Sequence, residues 1–162
     1  MTEFDAKYYL NQGIEKTNKG NFIAALEDFD KSLELDAKKP LTYFSKAIVF
    51  HNLKRLEEAF ENYSRAIELD EKMVDAYYNR AHVVLLKENP EEAEYKKALR
   101  DFEEAIKLDS KFIDALYYAA VMNMKLKRYE TSVEYLDKLL AIEPDAIQSR
   151  ALKKLILQKY LK

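Results

Sequence analysis

The sequence predicts an all-α protein, a row of four helical hairpins followed by one further helix. Three observations carry that prediction. Residue types recur with a period of 34: Tyr9, Tyr43 and Tyr77 stand 34 apart, small residues keep step at Gly13, Ala47 and Ala81, and a second set keeps step at Ala25 and Ala59, Phe29 and Tyr63, Leu35 and Leu69. Within each period apolar residues return at every third or fourth position, as in Tyr43, Ala47, Phe50 and then Leu56, Ala59, Phe60, Tyr63, Ala66, Ile67. That spacing places them on one side of each of two helices. Only two glycines and three prolines occur in 162 residues, so the chain has few places to break.

Taken in order, unit one covers residues 6–39 and breaks internally at Gly20-Asn21, and unit two covers 40–73 and breaks between Asn52 and Arg55. After Asp70 the register slips by five, since Ala59 to Ala98, Tyr63 to Phe102 and Ala66 to Ala105 are each 39 apart. Unit three, 74–112, therefore holds an insertion around Lys87 to Glu92. Asn89 suits a helix cap, Pro90 a first helical position, and Glu91, Glu92 and Glu94 the positive helix end, so the second helix of this unit is expected to be lengthened. The lengthening is read as a tolerated extension at an exposed end rather than as a contact surface. Unit four, 113–146, breaks at Lys127-Arg128 and returns to the 34-residue step with Ser132 and Leu136. Asp36, Asp70, Asp109 and Glu143 mark the joints between units. Small residues such as Ala59 and Ala66 allow close helix approach, and a lone hairpin cannot bury its apolar stripe, so stacking the units makes the core.

Residues 147–162 lie outside the register and are expected to form a capping helix whose Leu152, Leu155, Ile156 and Tyr160 cover the end of unit four. Leu157 and Leu161 fall on the other side, beside Arg150 and Lys154, and mark a second contact, with a partner or with a second copy of the chain in a homodimer. The whole of 1–162 is read as one domain.

Composition narrows the function. At 48% hydrophobic and 35% charged residues the chain fits a well-packed soluble protein. No apolar run is long enough for a membrane span and the start lacks the order of a secretory signal, so the expected location is cytoplasmic and no membrane partner is expected. With no cysteine there is no disulfide, thiolate nucleophile or cysteine-ligated metal. A net charge of −2 argues against general nucleic-acid binding. The charge is uneven: residues 147–162 carry five cations and no acid, which leaves −7 on the rest.

The repeated residues resemble the tetratricopeptide repeat (TPR) family, whose pattern is W-x2-L-G-x2-Y, then A-x3-F, then A and P over 34 residues. Unit one reads Tyr9-x2-Gln12-Gly13, Ala25-x3-Phe29, Ser32 and Ala37; unit two reads Tyr43-x2-Lys46-Ala47-x2-Phe50, Ala59-x3-Tyr63, Ala66 and Glu71. Unit three reads Tyr77-x2-Arg80-Ala81-x2-Val84, Ala98-x3-Phe102, Ala105 and Ser110. Unit four is the most degenerate, with Leu116, Ala119, Ala120, Ser132, Leu136, Leu139 and the family-like Pro144. The resemblance implies a right-handed α-solenoid of four TPR hairpins. Gln12, Lys46 and Arg80 replace the family's first leucine, so their polar ends must reach water or a carboxylate, and Ala37, Glu71 and Ser110 replace the proline, implying a less rigid bend.

In this family the second, fifth, sixth, ninth, twelfth and thirteenth positions of each first helix face a concave groove. The fifth positions here are Leu10, Phe44, Tyr78 and Tyr117, the sixth Asn11, Ser45, Asn79 and Tyr118, and the ninth Ile14, Ile48, His82 and Val121. The implied groove is apolar and aromatic, a surface that wants a cover, with Asn11, Ser45 and Asn79 as a polar ladder for a peptide backbone. The family's clamp for acidic chaperone tails is not reproduced. Set on units two to four its positions are Phe44, Ile48, Asn79, Asp114 and Tyr118, and on units one to three Leu10, Ile14, Ser45, Asp75 and Asn79, with an acid where a lysine should stand.

 Asp75 and Asp114 would repel an acidic tail, so an apolar or basic segment is the expected partner.

His51 and His82 sit on adjacent first helices and could, with Asp75, form a metal or acid–base site of an enzyme, but two histidines without cysteine fall short of a zinc site, and ordinary surface histidines are the preferred reading. No glycine-rich phosphate loop, G-x-S-x-G or H-E-x-x-H occurs. The expected function is therefore a non-enzymatic adaptor without a cofactor that binds a peptide segment of a partner protein. A secretion-type or assembly chaperone of the same repeat class is the alternative, disfavoured because the first unit begins at Ala6.

Overall fold

A computed structural model describes residues 4–162, and these hold nine α-helices and no strand. They are α1 (Ala6–Asn18), α2 (Phe22–Leu35), α3 (Pro40–Asn52), α4 (Leu56–Leu69), α5 (Val74–Leu85), α6 (Glu92–Leu108), α7 (Ile113–Lys125), α8 (Tyr129–Ile142) and α9 (Ile147–Lys159). The described residues form two compact units that divide between Val83 and Val84, near the end of α5.

In the first unit α1 packs on α2 and α3 on α4, each as a hairpin. The small-residue register explains the closeness. Gly13 lies so near the Phe29 ring that a Cβ would collide with it, and Ala47 shares a fully buried cluster with Ala59 and Tyr63. Leu10, Ala25, Phe29 and Val49 form a second cluster, which ties the first hairpin to α3. Two of the polar departures from the repeat pattern, Lys46 and Arg80, find partners on the preceding helix. Lys46 Nζ lies 2.5 Å from Asp30, and the Arg80 guanidinium donates to Ser64 Oγ at 3.0 Å. Buried Ser32 is satisfied by donating to the Ala6 carbonyl at 2.8 Å.

The turn inside a hairpin is built the same way three times. Gly20, Lys54 and Lys127 occupy equivalent places and all have positive φ, 77°, 59° and 59°. In each turn the next amide closes back on the helix, Asn21 to Lys16, Arg55 to Phe50 and Arg128 to Asn123, at 2.8–2.9 Å. This is the left-handed helix stop that glycine favours, because a Cβ there crowds the following carbonyl. Lys54→Gly is thus expected to stabilise the protein by about 1 kcal/mol, read as a raised midpoint in urea unfolding; a lowered midpoint would contradict the assigned conformation. At the joints between repeats the Asp36, Asp70 and Asp109 carboxylates each accept from the amide two residues on, at 3.0 Å. These side-chain turns stand where the family pattern has proline, and they set the bend without it. The Lys38 amide, with Lys39 nearby, holds the Asp36 carboxyl below the usual aspartate range.

In the second unit α6 runs for 17 residues against 14 in α2, α4 and α8, so the lengthening falls where the insertion predicts it. Its start differs from expectation. Glu91, not Asn89, is the cap: the Glu91 and Glu94 side chains form a reciprocal capping box, and Asn89 takes a positive φ of 52° in the preceding turn. Two carboxylates three residues apart satisfy two helix-end amides at once, which a single Asn-Pro entry cannot do. Lys87 adds an ion pair to Glu94 at 2.8 Å.

The terminal helix covers α7 and α8 through Ile156, fully buried against Ala120 and Leu136, with Leu152 beside it. Two expectations for this segment need correction. Leu155 is 49% exposed and outside the cap, and Leu161 joins the cluster rather than facing the other way with Leu157. The reason is that α9 ends at Lys159, so Leu161 no longer follows helical spacing. Tyr160, 40% exposed, still contributes by stacking its ring on Tyr129 at 4.3 Å.

Candidate protein-interaction site

The first helices of the first unit bring part of the expected groove together. Between α1 and α3 lies a cleft of about 160 Å³ walled by Ile14, Leu41, Phe44 and Ile48, with Thr17, Asn18 and Ser45 at its edge. Phe44 and Ile48 are half-buried because their inner sides rest on the Tyr63 cluster, and the Phe44 ring lies 5.7 Å from that of Tyr63. Packing from below holds the apolar wall in place and leaves its outer side open. Leu41, at 47% exposure, is the most accessible apolar residue of the cleft.

Other expected groove residues are placed differently. Leu10 is a core residue, 6% exposed and packed with Phe29, so it offers a partner almost no surface; α1 is the first helix of its hairpin and turns that position onto α2 and α3. The polar ladder is uneven. Asn11 is exposed, Ser45 is 7% exposed, and the Asn79 side-chain amide donates to the Asp75 carbonyl of its own helix at 2.7 Å. Tyr78 is half-buried with its ring 4.6 Å from that of His82. In the second unit Tyr117 and Tyr118 meet edge to face at 5.5 Å, and Tyr118 stacks on Phe102, also at 5.5 Å. Both tyrosines remain half-buried.

Leu41, Thr17 and Asn18 were not singled out from the sequence, although they stand at the second, twelfth and thirteenth positions of the family register. Reading those three positions as closely as the fifth, sixth and ninth would have found them. His51 lies edge-on to Tyr63 at 6.5 Å; burial, and then Lys54, press its pKa below the usual histidine range. Among the described residues no group of three or more His, Cys, Asp or Glu side chains could hold a metal, and no helix is long and apolar enough to cross a membrane.

Comparison with known proteins agrees with the repeat pattern. Residues 6–39 match the model of a tetratricopeptide repeat, residues 49–87 that of a TPR repeat, and residues 113–162 that of the Fis1 C-terminal tetratricopeptide repeat. Together these matches leave out residues 40–48, most of α3, and 88–112, which include all of α6, and the helical hairpins in this register define the class: the chain belongs to the tetratricopeptide repeat family.

An uncharacterized protein of Methanocaldococcus jannaschii is 43% identical over 54 residues, which are 33% of this chain and 63% of that protein, so the match spans less than two thirds of its length. Among solved structures, MamA (41-end) from Desulfovibrio magneticus RS-1 aligns with a TM-score of 0.82 and 18% identity over 98% of this chain and 87% of its own. A tetratricopeptide repeat protein from Parabacteroides merdae aligns at 0.81 and 22% identity over 95% of this chain and 59% of its own. The first TPR of Spaghetti (RPAP3), bound to the HSP90 peptide SRMEEVD, aligns at 0.69 and 18% identity over 76% and 94%. Identities this low speak for the shared all-α repeat fold and for nothing finer.

Proposed function

We propose that the protein is a non-enzymatic interaction module that holds an apolar-anchored segment of another protein in the cleft between α1 and α3. The observation that carries this reading is the supported apolar wall of Ile14, Leu41, Phe44 and Ile48, open to solvent beside Thr17 and Asn18. Apolar anchors in a preformed cleft supply affinity, and the flanking hydroxyl and amide groups orient a peptide backbone. The membership of the TPR family and the peptide seen on one structural neighbour support a protein ligand. That neighbour's acidic peptide is a poor model for this chain's ligand, because the register of the acidic-tail clamp here holds Leu10, Ile14, Ser45, Asp75 and Asn79, with no cation.

A displayed peptide library selected on the purified protein should return peptides with one or two large apolar residues, and the peptide SRMEEVD should not bind. Leu41→Glu should weaken a selected peptide about tenfold or more while leaving the thermal midpoint nearly unchanged, since the side chain is half exposed. Selection of acidic tails, or peptides indifferent to Leu41→Glu, would refute this site.

A further inference from the structure

The outer side of α9 carries a second recess, of about 410 Å³, lined by Leu140 of α8 and by Arg150, Lys153, Lys154, Leu157 and Gln158 of α9. Its place in the repeat register gives it meaning. Stepping 34 residues from α7, Leu116, Ala119, Ala120 and Asn123 become Arg150, Lys153, Lys154 and Leu157. In α7 those four positions are at most 1% exposed, and α8 packs against α7 as the second helix of the hairpin. In α3 the equivalent Ala47 is fully buried with Tyr63 of α4. The recess beside α9 is therefore the seat that a second helix fills in the other hairpins, and no helix follows α9 among the described residues.

The chemistry of this seat is unlike the others. Three cations replace Leu116, Ala119 and Ala120, and an exposed leucine replaces the buried Asn123. Residues 147–162 contain no acid to neutralise them. Lys153 reaches Asp137 on α8 at 2.5 Å, and Arg150 has only a 3.8 Å approach to the fully exposed Asp145. Lys154 has no ion-pair partner among the described residues. A helix with an apolar face like that of α8, which buries Ser132, Leu136 and Leu139, would strand Arg150 and Lys154 against hydrocarbon. A helix with carboxylates beside its apolar residue would pair them and cover Leu140 and Leu157 together.

We propose that this seat docks an acidic amphipathic helix of another protein, with carboxylates on Arg150 and Lys154 and an apolar side chain between Leu140 and Leu157. The leucines Leu140 and Leu157 beside the cations favour a helix that brings carboxylates and an apolar side chain together over anionic headgroups alone. The site is separate from the α1–α3 cleft, and the two stand or fall independently.

The test uses a displayed library of helical peptides, selected on the full chain. Enriched peptides should carry Asp or Glu at i and i+4 around a Leu, Met or Phe, and a synthetic copy should bind less tightly as salt is raised. Arg150→Glu with Lys154→Glu should weaken it about tenfold or more, whereas Leu41→Glu should leave it unchanged. Both altered residues are exposed, so an unchanged circular dichroism spectrum and thermal midpoint verify folding. Enrichment without acidic bias, or binding that survives the double charge reversal, overturns the proposal. So does co-sedimentation with phosphatidylserine vesicles that the reversal abolishes, which would assign the face to a membrane. Concentration-dependent dimerisation in sedimentation that the reversal abolishes would assign it to a second copy of the chain.

Discussion

A chain ended at Ala146 is expected to lose most of its stability, because α9 is the cover of the hairpin formed by α7 and α8. Removing it uncovers Ala120 and Leu136 and deletes Ile156, which is fully buried, along with the partial burial of Leu152 and Leu161 and the Tyr129–Tyr160 stack. A fully buried isoleucine contributes roughly 1.5–3 kcal/mol, and the whole face on the order of 5 kcal/mol as an upper estimate. Domains of this size are stable by about 5–15 kcal/mol, so the truncated chain should unfold about 10 °C lower or more, or lack a cooperative transition. The point substitution Ile156→Ala tests the same contact in the full chain, with an expected loss of about 2–5 kcal/mol in urea unfolding. An unchanged midpoint in both would show that α9 is not a cap.

Tyr63→Phe is expected to stabilise the protein, against the usual direction of core substitutions. The side chain is fully buried between α3 and α4, and its hydroxyl has no hydrogen-bond partner. The equivalent positions in the first and third repeats are Phe29 and Phe102, both fully buried, so the ring fits the register without its oxygen. A buried hydroxyl left unpaired costs about 1–3 kcal/mol, and that is the gain expected on removing it. Burial also pushes the Tyr63 phenol pKa well above its ordinary value. The sign of the pH effect follows. Below about pH 10 the tyrosine is neutral in both states and no stability is lost. Above it the unfolded chain releases this proton and the folded chain does not, so stability falls as pH rises. The Tyr63→Phe variant should therefore show both a higher urea midpoint at neutral pH and a shallower alkaline decline. A lower midpoint would mean that the hydroxyl is bonded in solution.

The helices were legible because each repeat states its pattern again: the small residues Gly13, Ala47 and Ala120 each stand 16 before the large ones Phe29, Tyr63 and Leu136, and a 3.6-residue period leaves little freedom in where they face. The lengthening of α6 followed from counting alone. Its cap did not, because Asn89-Pro90 and Glu91-x2-Glu94 are both good helix starts locally, and the choice between them rests on which carboxylates and amides meet. The breaks at Lys54 and Lys127 were placed from the sequence but their left-handed conformation was not, since such a residue is easily read when it is Gly20 and not when it is lysine.

At the candidate site the family register pointed to Ile14, Phe44 and Ile48 beside one another, but also to Leu10, which the neighbouring helices bury. Periodicity alone sets the side of a helix on which a residue lies. How much of that side a neighbour covers depends on contacts between residues far apart in sequence, such as Leu10 with Phe29 and Val49, or Leu161 with the cluster around Ile156. The sequence by itself determined the all-α repeat, the register and the cationic character of the last helix, because these follow from local spacing and composition. Only the tertiary structure decided which apolar residues remain open and which cations lack a partner, because exposure and ion pairing are properties of surfaces that packing brings together.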